Sequence, residues 1–155
     1  MNFNFKALKM NFQNIFRNKM NNNKLITIGL IGAIAVALGA LGAHFLKSKL
    51  ETGLITPDQL NGFDTAVKYQ MYHALAMLGL FLFSKQNTHK YINWAFNSFL
   101  IGIVMFSGSL YFLCTRNLLG TEGLKVLGPI TPIGGLFFIA GWIFIALIGL
   151  KKQSN

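Results

Sequence analysis

Four stretches of this chain are apolar for long enough to cross a lipid bilayer, and no other feature narrows its fold so sharply. They are residues 25–46, 66–83, 92–115 and 130–150. A crossing takes about 20 helical residues at roughly 1.5 Å each. Inside hydrocarbon each peptide group must find its hydrogen bond within the protein, so a chain without barrel-like alternation crosses as helices. The predicted fold is therefore all-α, an integral membrane bundle of four transmembrane helices. Residues 66–83 are the shortest of the four, but Thr56-Pro57-Asp58-Gln59 offers an N-cap, a proline at the first helical position and a glutamine three residues after the cap. That helix is expected to start before its apolar part, with its first turns in the interface. Thr131-Pro132 repeats the cap-and-proline signal for the last span, just after the Gly128-Pro129 turn.

The charges fit this layout. Of the 155 residues, 53% are hydrophobic and only 12% charged, yet the formal net charge is +10. Such a surplus would suit nucleic acid if the basic residues lay on one solvated face. Instead Lys6, Lys9, Arg17, Lys19 and Lys24 precede the first apolar run and Lys151 and Lys152 follow the last. Those are the positions of groups held at lipid headgroups, and a nucleic-acid role is set aside. With four spans, both termini and the short connection after residue 83 share one side, which carries nine Lys and Arg against five on the other. All four acids, Glu51, Asp58, Asp64 and Glu122, fall on the five-residue side. The positive-inside rule then puts both termini in the cytoplasm, or in the matrix of a mitochondrion.

Three units result: a basic segment 1–24, a four-span membrane domain 25–150 and a basic tail 151–155. Segment 1–24 contains no acid, and Phe5, Leu8, Phe12, Ile15 and Phe16 share one face of a helix opposite Lys6, Lys9, Gln13 and Arg17. This pattern suits an interfacial helix or an organelle-targeting sequence, and both stay open. The lone cysteine, Cys114, has no partner for a disulfide or a thiolate metal site and is expected to act as a small buried hydrophobe.

Span one is rich in small residues, nine of the fifteen from Gly29 to Ala43. Ala35, Gly39 and Ala43 recur at four-residue intervals, a small-xxx-small face on which a second helix backbone can approach closely. These are the expected helix-packing residues, and they predict that span one forms the centre of the bundle. Ser98 and Gly102 on span three, with Gly134 and Gly141 on span four, offer further points of close approach.

Few polar groups interrupt the spans, and they collect at one depth. His44 lies three residues before Lys47, His73 five after Lys68, and Tyr111 five before Arg116 with Ser109 and Ser107 beneath it. Tyr69, Gln70 and His73 share a helix face at i, i+1 and i+4. His44, Tyr69, Gln70, His73, Ser109 and Tyr111 thus form a candidate polar pocket in the outer half of the bilayer. Such a pocket serves a ligand or a proton, whereas the same residues acting as interhelical hydrogen-bonding groups form a clasp. The clasp is the leading expectation. No catalytic residue, cofactor site or metal site is assigned. The spans hold no deep carboxylate for a proton relay, and two lone histidines lack the spacing that would suggest haem. Asp64 and Lys68 are expected to pair within one helix, His89 to be solvated, and Asn97 and Ser98 to hydrogen-bond across the bundle.

The motifs GALGAHFLK at 39–47, FDTAVKYQMYHALAM at 63–77, SGSLYFL at 107–113 and LGPITPIGGLFFIAGW at 127–142 closely resemble the family of uncharacterised inner-membrane proteins that includes enterobacterial YgdD and eukaryotic transmembrane protein 256. The resemblance covers most of the chain from about residue 25 onward. It implies a small four-span helical protein and brings no activity, substrate or catalytic residue; segment 1–24 lies outside the family core. The expected role is non-enzymatic: a structural or accessory component in contact with the lipid bilayer and associating with other membrane proteins or with itself. A respiratory assembly is the specific form if segment 1–24 is a mitochondrial address. The alternative is a small-molecule or proton binding or transport protein built on His44 and His73. The expected location is a bacterial inner membrane, with the mitochondrial inner membrane as alternative.

Overall fold

A computed structural model describes residues 5–150, with the side chains of residues 5–21, Glu122 and Lys125 outside the description. The predicted amphipathic faces of segment 1–24 and the tail lysines Lys151 and Lys152 therefore lie outside the described residues. Every regular element among the described residues is helical. Helix α1 (Phe5–Leu41) runs through a π-helical turn (Gly42–Leu46) into the short α2 (Lys47–Glu51). Helix α3 (Pro57–Phe83) returns. Helix α4 (Lys90–Gly102) continues through a second π turn (Ile103–Ser107) into α5 (Gly108–Leu119). A 3-10 segment (Glu122–Leu127) leads to α6 (Ile130–Leu150).

Three helical stretches, Asn22–Glu51, Lys90–Leu119 and Ile130–Leu150, are long and apolar enough to cross a membrane. The protein is a helical, multi-pass membrane protein. Helix α3 is also long enough at 27 residues, but Asp58, Asp64 and Lys68 in its first half make it less apolar than the other three.

Local chemistry explains where the helices begin and end. Thr56 caps α3 through a reciprocal box: its hydroxyl accepts from the Gln59 amide at 3.2 Å, and its own amide donates to Gln59 Oε1 at 2.9 Å. Pro57 occupies the first helical position, where no amide is needed. The cap on α4 is a residue expected to be merely solvated: His89 Nδ1 accepts from the Tyr91 amide at 3.2 Å. Helix α5 closes with Gly120 in the left-handed region at φ 63°. Thr121 and Gly120 amides there return to the Arg116 and Asn117 carbonyls, as in a Schellman end. Helix α6 corrects an expectation. It starts at Ile130, so Thr131 and Pro132 sit inside its first turn, and the threonine hydroxyl is used elsewhere. Proline costs little there because first-turn amides lack helical partners anyway.

Helix α1 packs on α3, α3 packs on α4 and α5, and α4 with its π turn packs on α6. One apolar cluster joins Met77, Leu80 and Phe81 of α3 to Ile92, Phe96 and Phe99 of α4 and Phe138 of α6. A second, smaller one gathers Leu46, Ile55, Phe63 and Cys114. The bundle is therefore centred on α3 and on the α4–α5 rod. This corrects the expectation of a central span one, whose Leu25, Ile26, Leu30, Ile34, Val36 and Leu41 are exposed. Of its predicted packing face, Ala35 is buried, Gly39 approaches Val67, and Ala43 is exposed. The reason is physical: lipid solvates Gly and Ala as readily as a helix does, so small residues permit contact without demanding it.

The tightest seam lies between α4 and α6. A Cβ added to Gly134 would strike the Phe106 backbone, and one added to Gly141 or Gly102 would strike the Phe99 or Phe138 ring. Phe106 belongs to the π turn, so Gly134 makes room for that swollen backbone.

Candidate functional site

The six expected pocket residues divide into two pairs, a serine that faces α6, and one outlier. Gln70, only 4% exposed, lies between three helices. Its Nε2 donates to the Ile31 carbonyl of α1 at 2.8 Å, and its Oε1 accepts from the Tyr111 hydroxyl of α5 at 2.8 Å. One amide thus ties α1 to α5 through α3. The Tyr111 ring also packs on Phe63 with centroids 5.0 Å apart. Ser109, expected beside them, faces α6: its hydroxyl shares a 2.7 Å bond with that of Thr131 and donates to the Phe106 carbonyl at 3.0 Å.

His73 turns the other way. Its ring lies flat on Phe138, centroids 3.6 Å apart and planes within 6°. Nδ1 is 2.8 Å from the Tyr69 carbonyl, and Trp142 Nε1 donates to Nε2 at 3.3 Å. A carbonyl only accepts and an indole N–H only donates, so the arrangement is satisfied by one tautomer, with hydrogen on Nδ1 and a lone pair on Nε2. Protonating Nε2 would break the Trp142 bond. Tyr69 is 40% exposed and stacks on Phe106 at 4.8 Å. His44 is the outlier. It is exposed in the first π turn and takes no side-chain hydrogen bond among the described residues, which corrects its expected place in the pocket.

Several partners were not expected. Ser107, fully buried, donates to the Ala66 carbonyl at 2.8 Å and ties the second π turn to α3. Thr131, Phe138 and Trp142 carry the α6 side of both contacts. The available signal was the i, i+4 aromatic pair Phe138 and Trp142 flanked by Gly134 and Gly141 on one span. Asn97 is exposed and Ser98 buried, and neither side chain makes a hydrogen bond among the described residues, contrary to expectation. Asp64 and Lys68 do pair, at 2.6 Å. Midway along α1, where its apolar run begins, Lys24 donates to Asn93 at 2.6 Å and lies 5.0 Å from the Phe96 ring centroid.

Gln70, Ser109 and Tyr111 also border a groove of about 500 Å3 between α1 and the α4–α5 rod, otherwise lined mainly by apolar residues such as Ile31, Ile103 and Phe112. Gln70 and Tyr111 are engaged with each other there, and Ser109 with Thr131 of α6. Among the described residues, no group of three His, Cys, Asp or Glu side chains converges as a metal site would require.

Residues 38–135 match the family model described as protein of unknown function (DUF423). A UPF0382 membrane protein of Haemophilus influenzae is 40% identical over 87% of this chain and 99% of its own length. A UPF0382 membrane protein of Staphylococcus epidermidis is 41% identical over 81% of this chain and 94% of its own. The UPF0382 inner membrane protein YgdD of Escherichia coli is 34% identical over 84% and 92%. No solved structure matches the chain.

Proposed function

The chain belongs to the DUF423 family of membrane proteins, and from that premise we propose that it is a four-span, non-enzymatic structural or accessory component of a bacterial inner membrane. In this reading α3 is the fourth span. Its ion pair stays in the interface, and the 16 residues from Lys68 to Phe83 cover roughly 24 Å. Both termini lie on the cytoplasmic side, in keeping with the basic residues. The bacterial relatives favour that membrane over a mitochondrial one.

One observation carries the reading. Four of the buried polar side chains of the spans are committed to neighbouring helices: Gln70 to α1 and α5, His73 to α6, Ser107 to α3 and Ser109 to α6. These groups hold a scaffold together and leave no convergent acid, base or nucleophile of the kind catalysis needs. Meanwhile one side of α1 exposes Ala33, Ala37 and Ala40, a surface that a partner helix can approach closely. Crosslinking in native membranes, followed by gentle extraction, tests the proposal. Stable partners that depend on this side of α1 support it; a monomer that crosslinks to nothing removes it.

The second reading is a small-molecule site in the groove beside Gln70 and Tyr111, favoured by its volume. It predicts that Tyr111→Phe alters a function while membrane level and thermal stability stay unchanged.

A further inference from the structure

A separate cleft of about 250 Å3 lies between α3 and the end of α1 with its π turn, and its lining changes character with depth. Gly39, Ala43 and Val67, deeper along the helices, form the floor, while Lys47, Asn61 and Asp64, nearer the helix ends and interleaved with Leu60 and Phe63, form the rim. From Leu25 to Leu46 there are 22 residues, or roughly 33 Å of helix, close to the thickness of the hydrocarbon. Lys47 therefore stands at headgroup level, and the floor lies in the acyl region. A polar rim over an apolar floor is the polarity order of an amphiphile.

The rim charges specify the headgroup. Asp64 is occupied by Lys68 at 2.6 Å. Lys47 makes no ion pair among the described residues, Glu51 one turn further on included. The cleft thus keeps one uncompensated positive charge, with the Asn61 amide beside it.

We propose that this cleft binds one phospholipid with a singly anionic phosphodiester headgroup, such as phosphatidylglycerol. The phosphate sits on Lys47, within reach of Asn61, and the first methylenes of a chain lie along Ala43 and Gly39. The volume suits the head and the start of the chain, and the rest of the tail follows the exposed flank of α1. The inference rests on α1 crossing the bilayer and stands apart from the protein partners proposed above.

Native mass spectrometry of the full chain, titrated with palmitoyl-oleoyl phosphatidylglycerol, phosphatidylcholine or soluble glycerophosphoglycerol, tests it. One phosphatidylglycerol per chain is expected, held in preference to phosphatidylcholine and not displaced by the soluble headgroup. Lys47→Gln is expected to weaken retention about fivefold, the effect of one basic residue at a headgroup. Lys47→Arg restores it, and Ala43→Leu, which fills the floor, lowers it. Equal retention of the two lipids overturns the proposal, as does an unchanged Lys47→Gln. Displacement by glycerophosphoglycerol overturns it in favour of a soluble ligand. Thermal melting of each variant in lipid-free detergent reports folding, and if Ala43→Leu fails to fold, the Lys47 pair decides.

Discussion

The α4–α6 seam and the α1–α3 seam are built from similar small residues and work in opposite ways. Along α4 and α6, Gly102, Gly134 and Gly141 receive Phe138, the Phe106 backbone and Phe99, so each gap is filled by matched bulk. Along α1, small residues are more numerous but mostly face outward, and the join to α3 rests on the Gln70 amide and on contacts such as Gly39 with Val67 and Gly42 with the Phe63 ring. In a membrane, small residues mark where a helix can approach, and the bulky group opposite decides whether one does.

Substitutions at the two seams can break that distinction. The largest effect is expected at Gly134→Leu, because the Phe106 backbone cannot swing aside as a side chain can. A loss of about 3 kcal/mol or more is expected, seen as failure to accumulate or as a steep fall in melting temperature. Gly141→Leu follows, at roughly 1–3 kcal/mol, since the Phe99 ring can yield only by disturbing the buried cluster around it. Next comes Gln70→Leu, which removes the second hydrogen bond of the Ile31 carbonyl and leaves the Tyr111 hydroxyl without its acceptor. About 1–2 kcal/mol is expected, with Tyr111→Phe coupled to it by roughly 0.6 kcal/mol in a double-mutant cycle. Trp142→Phe, which removes the donor to His73 together with part of the ring packed against Phe99, is placed at about 1 kcal/mol. The smallest effect belongs to Gly29→Ala, where an added methyl meets nothing within 4 Å; its melting temperature is expected to match the parent. A large loss there, or none at Gly134, would reverse the roles given to the two seams.

Hydrophobic runs and capping residues located the helices well. The Thr56 box starts α3, and residues 130–150 form α6 as expected. Which way each helix faces was much less legible. In water the buried side of a helix is its apolar side, but in lipid both sides are apolar, and the 3.6-residue period loses its meaning as a guide to burial. That is why Gln70 and His73, neighbours on one helix face, reach different partners, and why His44 at a matching depth points outward. The polar character of these residues was plain in the sequence. Their partners depend on helix rotation, which no local signal fixes. The two π turns were missed for a related reason: the additional residue they hold leaves no mark in composition.

The second π turn also gives the chain a length requirement. Its i to i+5 bonding takes up one more residue per turn than the α pattern. Were this turn to become regular α-helix with every residue kept, all that follows would swing by about 100°. Ser109 would then leave Thr131 and Tyr111 would leave Gln70, with no contacting residue changed. At this point in the chain, spacing is as much a part of the structure as the side chains are.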